Sequence, residues 1–231
     1  MNKIDQTYIV GALADDLKTP LMQIAYTAEL ARHTKNLDSF GQIELLARSA
    51  MNDIDSLLLG LRSGLNQLEL PLVAQSPSAA VYDAINLSHS FIRRYGCQVT
   101  TDFRVKNNAM LNPEALTAVL RTLLRTIATI GYGFSKVQKI MIYVGQKNNC
   151  PNIKIISSAD IKQALWQISV DGLKHKNSAD LSHIAGGGPT ASIYVANQLL
   201  CAMNGKLKLI SSTAGSGYSM TLMPSAQLKI V

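Results

Sequence analysis

Ala14-Asp15-Asp16-Leu17-Lys18-Thr19-Pro20-Leu21 breaks into an apolar series that otherwise reads as one long amphipathic helix. Proline lacks an amide hydrogen and crowds the preceding turn, which costs about 3 kcal/mol inside a helix. Its place in mid-pattern predicts a kink. Outward from the octet, Val10, Leu13, Leu17, Leu21 or Ile24, Ala28 and Ala31 recur at steps of three and four between Ile4 and Thr34, which gathers them on one face. A turn is expected at Asn36-Leu37-Asp38-Ser39, where Asp38 or Ser39 can cap a second helix. That helix carries Ile43, Ala47, Ala50, Ile54, Leu57, Leu61 and Leu65 at the same steps. Two helices of about 30 residues joined by a short turn make an antiparallel hairpin. One hairpin cannot cover both stripes, so a four-helix bundle built by two copies of the chain is expected.

Leu70-Pro71-Leu72-Val73-Ala74-Gln75-Ser76-Pro77-Ser78 carries two prolines and ends the helical pattern. It divides the chain into a helical unit at 1–70, a linker at 71–77 and a second domain at 78–231. In the second domain Ser78 to Tyr95 reads as helix and Cys97 to Val105 as strand. Asn112-Pro113-Glu114 opens a helix, with Asn112 as N-cap and Pro113 at the first helical position, running through Leu116, Val119, Leu120, Leu123, Leu124 and Ile127. Lys139 to Val144 and Asn152 to Ile156 are strands divided by a polar hairpin turn. After an irregular stretch an apolar helix spans Ala191 to Met203, with Asn204-Gly205 as its C-cap. Lys206 to Ser211 and Tyr218 to Met223 form a last hairpin around Ala214-Gly215-Ser216-Gly217. Strands paired by hairpins, with helices gathered on one face, predict an α/β sandwich.

The composition fits a folded, aliphatic protein: 231 residues, 47% hydrophobic, 16% charged and 6% aromatic. No apolar run approaches the roughly 18 residues that span a bilayer, and Met1-Asn2-Lys3-Ile4-Asp5 lacks the apolar core of a signal peptide. A cytoplasmic protein with no membrane partner is expected. Cys97, Cys150 and Cys201 lie far apart without metal-ligand spacing and read as reduced, mostly buried thiols. His33, His89, His175 and His183 are scattered and read as structural or surface residues. The net charge of +7 comes from Lys and Arg spread along the chain rather than clustered with aromatics, which argues against nucleic acid; an acidic protein partner explains the charge as well.

The octet resembles the phosphoacceptor box of sensor histidine kinases, commonly written H-E-L-R-T-P-L, whose His takes a phosphoryl group from ATP and passes it to a response-regulator Asp. Matched on Thr19-Pro20-Leu21, Asp16 holds the acidic position, Lys18 the basic one, and Asp15 stands where the phosphoacceptor His would be. The helical unit is similar to that family's dimerisation domain, and the second domain to its ATP-binding domain and the gyrase and chaperone relatives. The closing stretches Asn204-Gly205-Lys206-Leu207 and Gly215 to Pro224 follow the family's G-G-x-I/L and G-x-G-T/S-x-F-x-x-x-L-P ending. The resemblance implies an α+β protein: an N-terminal two-helix hairpin forming a dimeric four-helix bundle, then an α/β sandwich of the histidine kinase, gyrase and chaperone ATPase type.

The same resemblance locates a degenerate nucleotide site. The family's N box, N-L-L-x-N-A, holds the Mg²⁺ that bridges the ATP phosphates; here it reads Thr122-Leu123-Leu124-Arg125-Thr126-Ile127, with both Asn positions turned to Thr. The box D-x-G-x-G follows a strand, and its Asp accepts the adenine amino group. The corresponding Ser157-Ser158-Ala159-Asp160-Ile161-Lys162-Gln163 has no glycine, and Asp160 is the candidate acceptor, one place out of register. The last glycine-rich box aligns with Gly188-Pro189-Thr190, preceded by Gly186 and Gly187, whose amides could meet phosphate at a helix N-terminus. Phosphoryl transfer depends almost wholly on positioning nucleotide, metal and acceptor, so these changes together imply no autokinase activity and no nucleotide cofactor; Mg-ATP or Mg-ADP are the ligands if the pocket survives.

A non-catalytic, homodimeric scaffold that binds a response regulator or a histidine kinase is therefore expected. The enzymatic alternative is a phosphatase: Asp16 and Thr19, one turn apart, keep the spacing with which the family positions water against a regulator's phospho-Asp. A residual ATP-binding histidine kinase is a further alternative. A histidine phosphotransferase needs the His that is missing, and nucleic-acid binding rests on net charge alone.

Overall fold

The computed structural model describes residues 6–34, 38–64, 70–104, 107–132, 137–168 and 188–225. In chain order the elements are α1 (Gln6–Thr34), α2 (Asp38–Gly64), β1 (Val73–Gln75), α3 (Pro77–Arg94), β2 (Cys97–Phe103), β3 (Ala109–Leu111) and α4 (Pro113–Gly131). They continue with β4 (Gln138–Lys147), β5 (Cys150–Ser157), α5 (Lys162–Ile168), α6 (Gly188–Ala202), β6 (Lys206–Ser212) and β7 (Gly215–Thr221). No helix among the described residues is long and apolar enough to cross a membrane.

Helix α4 is the axis of the core. Asn112 caps it, its side-chain oxygen accepting from the amide of Ala115 at 2.9 Å, and Pro113 supplies a preset first turn. Leu116, Leu120, Leu123, Leu124 and Ile127 are fully buried, and truncating any of these leucines to Ala would cost about 2–5 kcal/mol. Helix α3, capped by Ser76 with Pro77 in its first turn, and helix α6 pack against α4. Helix α6 ends as the sequence predicts: Asn204 adopts a left-handed φ of 56°, and the Gly205 amide donates to the Leu200 carbonyl at 2.8 Å.

The helices cover one face of a five-stranded sheet ordered β2-β4-β5-β7-β6. Inward side chains alternate along each strand: Ile140, Ile142 and Val144 on β4, Ile153 and Ile155 on β5, Tyr218 and Met220 on β7. The β4–β5 hairpin turns at Asn148 and Asn149, both at positive φ, as the primed turns of two-residue hairpins require. The sheet is mixed rather than hairpin-paired throughout. Strand β2 runs parallel to β4, and the crossover between them contains β3 and α4.

Two more stretches differ from expectation. Val73 to Gln75, inside the segment read as linker, pair antiparallel with β3, and the Asn112 side-chain amide donates to the Pro71 carbonyl at 3.2 Å. The prolines at 71 and 77 thus edge a built strand and start a helix. The stretch after β5, read as irregular, contains α5, with Leu165 in the core.

Helix α1 continues across Pro20 without interruption. Helices α1 and α2 contact each other and α6, and α2 also contacts α4. Ala31 and Ala50 are buried, whereas Leu21 and Ala28, both read as stripe residues, face solvent. Of the cysteines, Cys97 is buried, Cys150 is half-buried and Cys201 is exposed, so burial holds for one thiol rather than most.

Candidate functional site

Strand β5 ends on the helix-covered side of the sheet at Ser157, and the stretch after this strand is where the sequence places the degenerate adenine box. Ser157 is fully buried. Its hydroxyl accepts from the Gln138 side-chain amide at 2.7 Å and from the Ala159 amide at 3.1 Å. The same Gln138 nitrogen donates to the Ile127 carbonyl at 3.0 Å, and the Gln138 side-chain oxygen accepts from the Cys97 thiol at 3.4 Å. One side chain thus ties the last turns of α4 to β2, β4 and β5. Gly131 makes the approach feasible, since a Cβ there would fall on the Gln138 amide. Burial raises the Cys97 thiol above its ordinary pKa, keeping it the donor.

Tyr218 lies on the same face. In the β5–β7 ladder Ile155 pairs with Tyr218 and Ser157 with Ser216, so the phenol is two residues from the buried serine. It occupies the small Thr/Ser position of the glycine-rich ending. Tyr218 is 1% exposed, and its hydroxyl has no hydrogen-bond partner among the described residues. Burial pushes its pKa well above the usual tyrosine range.

The sequence-predicted residues are spread over several elements. Thr126 is buried and Thr122 half-buried on α4. Arg125 places its guanidinium 4.9 Å from the centre of the Phe91 ring on α3. Asp160 is exposed in the turn before α5 and is separated from the buried strand end by Ser158 and Ala159. Gly188 opens α6, while Gly186 and Gly187 lie outside the described residues. Asp15 and Asp16 are neighbours on α1 and Thr19 follows one turn later, with side chains outside the described ones, and Lys18 is exposed. Ser157, Gln138 and Tyr218 escaped the sequence reading. Their signals were a polar residue at an inward strand position and a large aromatic at a Thr/Ser position.

The Ser157 hydroxyl at the end of β5 is engaged by Gln138, and the Tyr218 phenol near it is buried. A site that discriminates adenine by paired hydrogen bonds needs a free acceptor.

No family model and no curated protein sequence matches the chain. Solved structures do match. Histidine kinase AdeS of Acinetobacter baumannii is similar with a TM-score of 0.58 at 12% identity, over 90% of this chain and 96% of that one. The nucleotide-free catalytic domain of the histidine kinase ThkA is similar with a TM-score of 0.50 at 11% identity, over 66% of this chain and 97% of that one. The fold of this chain is the histidine-kinase fold, an α+β architecture carrying an ATPase-like mixed sheet.

Proposed function

We propose that this chain is a catalytically degenerate, histidine-kinase-like protein of two-component signalling, a cytoplasmic homodimer that binds a response regulator or a partner kinase without transferring phosphate itself. The observation that carries this proposal is the Gln138–Ser157 hydrogen bond at the end of β5. It engages the first residue of the stretch read as the adenine box, near the buried Tyr218 phenol, which supports a site not built for nucleotide. Asp15 at the phosphoacceptor position and Thr at both N-box positions support the same conclusion. Dimerisation through α1 and α2 is supported by the large apolar side chains these helices leave in solvent, among them Met22, Tyr26, Phe40 and Met51.

The test is incubation with γ-labelled Mg-ATP, followed by acid and alkali treatment. No acid-labile phosphohistidine is expected, and label on any of the four His residues would contradict the proposal.

A phosphatase is the second reading. Its supporting observation is that α1 is unbroken across Pro20, so Asp16 and Thr19 stay three residues apart on one helix. There Asp16 would orient a water and Thr19 would hydrogen-bond it, work that needs neither His nor ATP.

A further inference from the structure

The face of the sheet opposite the helices is not covered by any described element. Outward residues fall into rows that the strand register fixes. One row runs Asp102, Tyr143, Lys154, Ser219, Lys208, and the next runs Thr100, Met141, Ile156, Gly217, Ile210. Lys206 and Lys139 stand outward beyond them on β6 and β4, and both are exposed.

Charge on this face is one-sided. Arg104 is ion-paired with Asp102 at 2.8 Å. Among the described residues Lys139, Lys154, Lys206 and Lys208 have no ion pair. Lys154 and Lys208 flank Ser219 from the two neighbouring strands, which sets them about 10 Å apart, and Lys206 is about 7 Å along β6 from Lys208. Past Thr100 the second row is apolar: Met141 is 38% exposed and Ile210 half-buried, with the buried Ile156 and Gly217 between them.

An apolar centre with a charged rim is the anatomy of a protein–protein interface. A nucleic-acid platform needs aromatic faces free for stacking. The one aromatic ring here, Tyr143, already has the Lys154 ammonium 5.4 Å from its centre and the Arg104 guanidinium at 5.7 Å. The ring is held over Gly145, where a Cβ would overlap it.

We infer that the sheet face opposite the helices, with Lys154, Lys208 and Lys206 to one side of the Met141–Ile210 row and Lys139 to the other, docks an acidic protein surface. Taking that partner to be a response-regulator receiver domain rests on the proposed function; the face and the charge of its occupant do not. A receiver held here lies across the sheet from α1, since α1 and α2 pack on the helical side. It would be held rather than dephosphorylated.

The experiment titrates the full-length chain with purified, unphosphorylated receiver domains at low and high salt. Wild type is compared with Lys154→Glu/Lys208→Glu and with Lys154→Arg/Lys208→Arg, and amide shifts of the full chain are followed in parallel. Both pairs substitute solvent-facing side chains, and unchanged thermal melts verify folding. Binding that weakens with salt, falls at least about tenfold in the Glu pair, survives in the Arg pair and shifts amides of β5, β6 and β7 is expected. Equal affinity of the Glu pair, or shifts confined to α1, would overturn the docking face and leave the response-regulator reading standing. Absence of binding by wild type would overturn both. A poly-thymidine oligonucleotide of equal charge that binds more tightly than any receiver, and is lost in the Glu pair, would reassign the face to nucleic acid.

Discussion

The side-chain amide of Gln138, at the first residue of β4, donates to the hydroxyl of Ser157, the last residue of β5, at 2.7 Å. Both residues are buried, and the Ile127 carbonyl on α4 shares the same donor. Gln138→Ala removes two buried hydrogen bonds, each worth about 0.5–1.5 kcal/mol net, and leaves a cavity between α4 and the sheet; the Ser157 hydroxyl keeps the Ala159 amide as a donor. A loss of about 2–4 kcal/mol in denaturant unfolding is the expected outcome; a loss within experimental error would show that this knot of hydrogen bonds is incidental.

Gly131 and Gln138 form a test pair. In wild type Gly131→Ala drives a methyl into the Gln138 amide and should destabilise. In the Gln138→Ala background the space is free, and Ala is favoured over Gly in a helix by about 1 kcal/mol. The same substitution should then be neutral or stabilising. A double-mutant cycle measures this reversal, and additive effects would contradict it.

Tyr218 predicts a pH dependence. Burial holds its phenol above the ordinary range, so near pH 10 the unfolded chain releases that proton while the folded chain keeps it. Above that pH the folded state binds more protons than the unfolded, and stability falls as pH rises, by up to about 1.4 kcal/mol per unit from this group. Below it both states are protonated and the group contributes no slope. Tyr218→Phe removes both this slope and a buried hydroxyl without a partner among the described residues, a gain of about 1 kcal/mol at neutral pH. Unfolding curves of the two proteins from neutral to alkaline pH should diverge; parallel curves would count against the burial.

Met22, Tyr26 and Leu30 recur at steps of four along α1, and Met22 and Tyr26 are 71% and 68% exposed. A second copy covering them predicts a dimer mass by light scattering at micromolar concentration. Tyr26→Glu should shift the mass toward the monomer. A wild-type monomer under those conditions would remove dimerisation from the account.

Thr19 separates the scaffold from the phosphatase. If Thr19 positions a water, Thr19→Ala should slow release of phosphate from a phosphorylated cognate regulator by about 10²–10⁴-fold. The scaffold predicts equal decay with wild type, variant and no protein.

What could be read from residue order follows from the range over which each signal acts. Asn112-Pro113 and Asn204-Gly205 are local, because the cap forms within one turn of the helix it ends. Alternation in Lys139 to Val144 is equally local and marks β4. The three-residue strands β1 and β3 carry no period of their own; each exists because the other supplies its hydrogen bonds from some forty residues away, and prolines at 71 and 77 read as a break. Parallel pairing of β2 with β4 is invisible for the same reason. At the site, composition announced the missing glycines around Asp160, but not that Ser157 closes the strand or that Gln138 reaches it from 19 residues away. The position of Asp160 in the sequence suggested an acceptor, and the residue is exposed in the turn before α5.

Titration calorimetry with Mg-ATP and Mg-ADP tests the central claim most directly, because it asks whether the Gln138–Ser157 knot and the Tyr218 phenol leave room for a nucleotide. No saturable heat up to millimolar nucleotide is predicted for the full-length chain. Saturable binding in the micromolar range would contradict the claim and return the chain to the nucleotide-using kinases.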